Sequence, residues 1–324
     1  MTKDAPRVII MNDNAAAMAA RLREAVPEAE VAELTRYEDT EALLADFRPD
    51  VVYSTKFAGN DGFPTAALFG PEGPAWVTVG GSGCDHLGRW DAEQVTVTNS
   101  AGVAAHMMAE YAFGCALHFS LDIEGLARDK AARRWDSTRL MAPLKGRTLL
   151  IVGLGQTGQA VAELGQAFGM HVIGARARPA PMEHLDEVHA ASDLPGLWGR
   201  ADMIVVAVPL LPATRGMIGA EDFAAMKRRA VLVDVSRGGV VDGDALLEAL
   251  REGRIAGAGL DVFAEEPLPE ESPFWALDNI ILSPHSSGVY EGWDLNSLDM
   301  FIENLRRWQS GEALRNVVDP ARGY

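Results

Sequence analysis

Cysteine is nearly absent from this chain of 324 residues; Cys84 and Cys115 are the only two. Two cysteines cannot make a disulfide framework, so the fold must rest on its apolar core, and a reduced, cytoplasmic setting is expected. No apolar run approaches the roughly 18 residues that cross a bilayer, and none follows Met1-Thr2-Lys3-Asp4. Membrane spanning and secretion are therefore not expected. Positive charge is scarce as well, with Lys+Arg 29 against Asp+Glu 46 and a formal net charge of -17. A field of that sign repels phosphates, which argues against a protein that coats nucleic acid or anionic membrane. A local basic site is still permitted. Low-complexity tracts and short-period repeats are missing too. What is plentiful is apolar surface: hydrophobic residues make up 48% and charged residues 23%. That balance belongs to a globular protein, and the length suits about two domains.

Short apolar runs alternate with helical patterns through the first hundred residues. Val8-Ile9-Ile10-Met11, residues 31–34, Val51-Val52-Tyr53, Trp76-Val77-Thr78-Val79 and Val95-Thr96-Val97-Thr98 read as strands, with helices over residues 15–25 and 40–47. Residues 59–73, rich in Gly and Pro, read as a surface loop. A long apolar helix over residues 104–128 follows, then a basic, irregular stretch with Arg133, Arg134 and Arg139. The alternation then restarts with apolar runs at residues 149–152, 172–173, 203–208, 231–235, 256–260 and 280–282, and an amphipathic helix over residues 295–308 ends it. Strands separated by helices imply right-handed crossovers and parallel sheets, and continuous apolar strands imply helices on both faces. The fold class expected is α/β, with two Rossmann-like or flavodoxin-like doubly wound parallel sheets and a cleft between them.

Gly153-Leu154-Gly155-Gln156-Thr157-Gly158 fits G-x-G-x-x-G between a strand ending at Val152 and a helix. The first Gly permits the tight turn, the second lets a pyrophosphate approach the backbone, and the third lets helix and strand pack closely. The helix N-terminus offers N–H donors and a positive dipole end. Gly153, Gly155, Gln156, Thr157 and Gly158 are thus assigned to a dinucleotide. An acidic residue that grips the ribose 2′-hydroxyl is expected some 18 residues past Gly158, where Arg176 stands instead, followed by Arg178. Two guanidinium groups suit a 2′-phosphate, so NADP(H) is expected over NAD(H), which remains possible. The alternative is a pair of solvated surface arginines.

Three further segments each follow a strand. Ser236-Arg237-Gly238-Gly239 carries an Arg on a Gly-rich turn, Asp261-Val262-Phe263-Ala264-Glu265-Glu266-Pro267 an acidic cluster, and Ser283-Pro284-His285-Ser286-Ser287-Gly288 a His. Ligands of open α/β sheets bind at the carboxyl ends of strands. There, Arg holds a carboxylate bidentately, His donates a proton, and a carboxylate orients and charges that His. Singly, Arg237, Glu266 and His285 have bland readings as surface charges or a loop histidine. In this order, each after a strand, they form the parts of a hydride-transfer site for a 2-oxo acid.

These motifs, with Leu144-Lys145-Gly146-Arg147-Thr148, Val208-Pro209-Leu210, Thr214-Arg215-Gly216 and Glu266-Pro267-Leu268-Pro269, resemble the D-isomer-specific 2-hydroxyacid dehydrogenase family over nearly the whole chain. The resemblance implies that Arg237, Glu266 and His285 are the catalytic trio. It also implies that Asp261 lies near the nicotinamide carboxamide and that Val208 and Pro209 line the cofactor cleft. Gly80-Gly81-Ser82-Gly83-Cys84-Asp85-His86 resembles the family's substrate loop, which implies that the N–H groups of Ser82 and Gly83 bind the substrate carboxylate, beside Arg237. Lys56 is a candidate substrate contact, while His86 and His106 read as structural. No metal site is assigned.

The family's phosphite-oxidising branch carries Lys at the position of Ser82, and its formate branch carries Gln at that of Glu266; this chain has neither. The Arg-x-Arg spelling at 176–178 resembles the NADP-using glyoxylate and hydroxypyruvate reductases. The expected activity is therefore NADPH-dependent reduction of a small 2-oxo acid to a D-2-hydroxy acid, with glyoxylate or hydroxypyruvate as substrate. The alternatives are a reductase of bulkier 2-oxo acids, such as phenylpyruvate or branched-chain ones, and a non-catalytic NAD(P)H-sensing corepressor-like protein. Residues 1–100 with 291–324 are expected to form the substrate domain, and residues 101–290 an inserted dinucleotide-binding domain. The family implies a homodimer through the long helix after residue 104.

Overall fold

The computed structural model describes residues 4–55 and 62–320. It divides into two compact units, one made of the residues up to Val103 together with those from Tyr290 onward, the other running from Ala104 to Val289. The first holds a parallel sheet of β1 (Arg7–Met11), β2 (Glu30–Leu34), β3 (Val51–Ser54), β4 (Trp76–Val79) and β5 (Thr96–Asn99), in the order β2-β1-β3-β4-β5. Helices α1 (Ala15–Ala25), α2 (Thr40–Phe47) and α3 (Thr65–Leu68) belong to it. Strands such as Val51-Val52-Tyr53-Ser54 are buried at every position, as a sheet covered on both faces requires. Met18, Leu22, Tyr53, Trp76 and Phe301 fill one side of the sheet, and Ile9, Leu44, Val52 and Val77 the other.

The larger unit begins with α4 (Ala105–Ser120) and α5 (Ile123–Ala131). Then follow β6 (Thr148–Val152), α6 (Gln156–Ala167), β7 (His171–Arg176), β8 (Glu187–Ala190), β9 (Met203–Val206), α7 (Ala220–Ala225), β10 (Val231–Asp234), α8 (Gly243–Arg251), β11 (Gly257–Leu260) and β12 (Ile280–Leu282). Its seven parallel strands run β12-β11-β10-β9-β6-β7-β8. The order reverses at β6, the strand that feeds the Gly-rich turn, and ligands of such sheets bind at that switch point. Ala109, Phe113 and Val161 pack on one face, and Phe223, Leu246 and Leu250 on the other. The last helix, α9 (Trp293–Ser310), returns to the first unit, where Phe301 packs on Trp76 with ring centroids 5.4 Å apart.

The doubly wound, parallel α/β architecture expected of the sequence is the one observed in both units. The single helix expected over residues 104–128 is two. Asp122 adopts φ 47 and caps α5 by accepting from the Gly125 N–H at 3.1 Å, so a short polar side chain ends one helix and starts the next. Strand β8 escaped the sequence reading because Glu-Val-His-Ala has no apolar run; as an edge strand it pairs on one side only. The segment read as a loop after residue 59 contains α3, anchored by buried Leu68.

Candidate active site

Strand β6 delivers the chain to Gly153, whose φ of 101 is open to glycine and closed to most side chains. A Cβ there would lie 2.4 Å from the Ala207 carbonyl oxygen, and one at Gly158 would lie 2.0 Å from that of Gly153. Both glycines are needed for the turn to close on the sheet. Gly155 faces open space, with nothing within 4 Å of a Cβ placed on it. The turn thus presents bare backbone and the first N–H groups of α6, a fit for a pyrophosphate. Gln156 is exposed, Thr157 half-buried with its hydroxyl 3.6 Å from Met108 Sδ, and Val208 and Pro209 line the next strand end half-buried. Arg176 ends β7 half-buried, with Nη1 3.1 Å from Met182 Sδ, and Arg178 is exposed two residues on. Among the described residues neither arginine makes an ion pair, and apart from the Arg176 Nη1 contact with Met182 no side-chain partner is seen for either guanidinium.

Arg237, Glu266 and His285 stand on the loops after β10, β11 and β12, three neighbouring strands. Glu266 Oε1 accepts from the Phe263 N–H at 2.9 Å, and Oε2 meets His285 Nδ1 at 2.8 Å. A carboxylate accepts only, so Nδ1 carries a proton and Nε2 is left as the ring's second functional atom. The His285 and Glu266 side chains are 44% and 36% exposed, so the pair is open to a ligand. His285 has φ 52, a conformation rare outside glycine, and its N–H donates to the Asp261 carbonyl at 2.9 Å. Arg237 Nη1 donates to the Ser236 carbonyl at 2.7 Å.

Asp261 is buried, 2% exposed. Its Oδ1 accepts from Ser283 Oγ at 2.6 Å, Ser286 N at 2.8 Å and Ser287 N at 2.9 Å, while Oδ2 accepts from Ser287 Oγ. Sequence reasoning placed Asp261 beside a cofactor; the structure adds this clasp around the residues that flank His285. Neither Ser283, Ser287 nor Tyr111, whose hydroxyl lies 2.8 Å from Ser283 Oγ, was singled out. The available signal was a pair of serines flanking a histidine, with a tyrosine in the middle of a largely apolar helix.

A second buried carboxyl, Asp234 at the end of β10, accepts from Ser236 N at 3.0 Å and from Ser236 Oγ. Burial pushes it up from 3.8 to about 7, against the pull of the Ser236 donors and helped by the charge of Asp261. The folded protein therefore holds a proton that the unfolded chain releases between these values. Stability from this group is complete below pH ~4 and is lost as pH rises through about 7, an effect of a few kcal/mol. Asp234→Asn keeps an acceptor for Ser236 and cannot ionise. Its urea midpoint should fall less than that of the parent protein between about pH 5 and about pH 8. Equal falls for the two proteins count against the assignment.

In the smaller unit, Ser82 and Gly83 lie on the loop after β4. The carbonyls of Gly80, Gly81 and Ser82 accept from Ser297 Oγ, Ser100 N and Asn99 Nδ2, at 2.7, 3.0 and 2.7 Å. In a trans peptide the N–H points opposite to the carbonyl before it. The N–H groups of Ser82 and Gly83 are accordingly turned away from the anchors of the Gly81 and Ser82 carbonyls. Lys56 lies outside the described residues. Tyr53, near it in sequence, is fully buried with its hydroxyl 2.8 Å from Ser297 Oγ, so it belongs to the core. Among the described residues no group of His, Cys, Asp and Glu side chains is placed to hold a metal ion, and no helix is long and apolar enough to cross a membrane.

Residues 113–287 match the family model for the D-isomer specific 2-hydroxyacid dehydrogenase, NAD binding domain. The chain is 36% identical over 246 residues to a D-3-phosphoglycerate dehydrogenase of Methanocaldococcus jannaschii, a match that takes in 74% of this chain and 46% of that relative. The chain thus spans about half the length of that relative. To a glyoxylate reductase of Korarchaeum cryptofilum it is 35% identical, covering 69% of each chain. Among solved structures, a D-isomer specific 2-hydroxyacid dehydrogenase from Xanthobacter autotrophicus Py2, in complex with NADPH and MES, superposes with a TM-score of 0.83 at 32% identity. That superposition covers 98% of this chain and 99% of the other.

Proposed function

The chain belongs to the D-isomer specific 2-hydroxyacid dehydrogenase family, and from that premise we propose that it reduces glyoxylate or hydroxypyruvate with NADPH. The observation that carries the chemical half is the Glu266–His285 pair, in which the carboxylate takes Nδ1 and leaves Nε2 for a substrate. The bound dinucleotide supplies the hydride for C2 of the 2-oxo acid. His285 Nε2 gives a proton to the carbonyl oxygen, and Glu266 holds the ring by its contact with Nδ1. Arg237 holds the substrate carboxylate with its planar guanidinium, and the Ser82 and Gly83 N–H groups are the carboxylate donors of the smaller unit. Gly153, Gly155, Gln156, Thr157, Gly158, Val208, Pro209 and Asp261 serve the dinucleotide.

Arg176 and Arg178, two guanidinium groups without carboxylate partners, support NADPH as the cofactor. So does the NADPH complex of the Xanthobacter relative. The glyoxylate reductase relative supports a small substrate. A second copy of the chain completes the reading. Arg139 and Arg134 bind Asp129 and fold the segment after α5 back onto that helix. Trp135 and Leu140 are left 95% and 92% exposed, near exposed Ile123, Leu126 and Met141, a surface suited to burial in a homodimer.

A panel of 2-oxo acids assayed with both cofactors tests this. Glyoxylate or hydroxypyruvate with NADPH should give the highest kcat/KM. Arg176→Ala with Arg178→Ala should raise KM for NADPH on the order of 10- to 100-fold, with KM for NADH nearly unchanged. The same preparation should sediment at about twice 34.8 kDa. NADH turned over at least as efficiently as NADPH overturns the cofactor assignment. Preference for phenylpyruvate or branched-chain 2-oxo acids overturns the substrate. Absence of turnover across the panel favours a nucleotide-sensing protein instead.

A further inference from the structure

Helix α4 is apolar along most of its length, yet it aims one hydroxyl at the loop that carries His285. Tyr111 OH lies 2.8 Å from Ser283 Oγ, and Ser283 Oγ lies 2.6 Å from Asp261 Oδ1. Ser283 has a single proton to give. A carboxylate is the stronger acceptor and the shorter contact, so the proton goes to Asp261 and the Ser283 oxygen accepts from Tyr111. Burial pushes the Tyr111 phenol above its ordinary value, which keeps it a neutral donor. The Cys115 thiol beside it, pushed up to about 11 by burial, is the weaker partner. The approach of α4 is permitted by Gly259 on β11, where a Cβ would lie 2.6 Å from Cys115 Sγ.

The chain therefore runs from Tyr111 through Ser283 to Asp261, whose carboxylate also accepts from the N–H groups of Ser286 and Ser287. Between these anchors sits His285 at φ 52, a backbone conformation that persists only where its surroundings impose it. We propose that Tyr111 is a positioning residue for His285, acting through Ser283 and Asp261; this rests on the reading of His285 as the proton donor. Without the tyrosine hydroxyl, the Ser283 oxygen loses the donor that sets its rotamer. Asp261 then loses an ordered partner, and the loop its hold on the imidazole. A misplacement of about 1 Å in such a group is enough to slow chemistry substantially.

The test pairs Tyr111→Phe with Ser283→Ala, which breaks the same chain from the other side should either variant fold poorly. Each should lower kcat for glyoxylate or hydroxypyruvate by about tenfold, with KM for NADPH changed by less than about twofold. The double variant should fall no more than about twofold below the weaker single one, because both remove one connected path. Amide exchange of residues 283–287, measured without cofactor, should quicken about tenfold in both single variants. Unchanged exchange, unchanged kcat despite faster exchange, or losses that multiply in the double variant each overturn the proposal. If the parent protein reduces none of the 2-oxo acids, the proposed activity fails by itself, and exchange alone decides whether Tyr111 holds the loop.

Discussion

Replacing His285 by asparagine is expected to lower kcat on the order of 10²- to 10⁴-fold while NADPH still binds. Asparagine is the stricter choice than alanine, since it tolerates the left-handed backbone that His285 adopts at φ 52. It therefore removes the proton donor and little else. The size of the effect follows from what the ring does. Glu266 holds Nδ1 at 2.8 Å and is itself held by the Phe263 N–H, so the imidazole is oriented before any substrate arrives. Water can still supply a proton, but without that orientation, and the rate falls toward what the remaining positioning provides. Steady-state rates at saturating NADPH, together with cofactor titration by fluorescence, check this. A kcat equal to that of the parent protein removes His285 from the reaction.

Arg237→Ala should cut kcat/KM for 2-oxo acids on the order of 10²- to 10⁴-fold, since two charge-assisted hydrogen bonds to a carboxylate are lost at once. NADPH affinity should change by less than about threefold. Arg237→Lys should restore little, because an ammonium is a point charge without the planar fork. The guanidinium is steadied by its bond to the Ser236 carbonyl, 2.7 Å away, so the fork is set by the turn after β10. A variant that loses cofactor binding and keeps its affinity for 2-oxo acids reverses the assigned role.

Much of this architecture is legible in the chain. The apolar strands of the larger unit announce a sheet covered on both faces, and Gly153 and Gly158 announce the turn that the sterics of Ala207 and Gly153 demand. Arg237, Glu266 and His285 are visible because each follows a strand. What is hidden depends on contacts far apart in sequence. Tyr111 and Ser283 are separated by 172 residues, and one hydroxyl in an apolar helix leaves no periodic mark. The helix break at Asp122 is hidden because the residues around it continue a helical pattern, and one cap decides against it. Strand β8 is hidden because its pairing on β7, not its composition, makes it a strand.

The smaller unit is assembled from both ends of the chain, with α9 packed over Tyr53 and Trp76 and Val317 bridged to Thr98. During synthesis the first five strands emerge long before the helix that covers them. The seven-stranded unit between them is complete once Val289 has left the ribosome. Until α9 follows, the part of one face of the first sheet that α1 does not cover stays wet, and Tyr53 and Trp76 lack the Phe301 ring that packs on both. Inserting one sheet inside another thus sets a birth order, in which the unit encoded second is finished first.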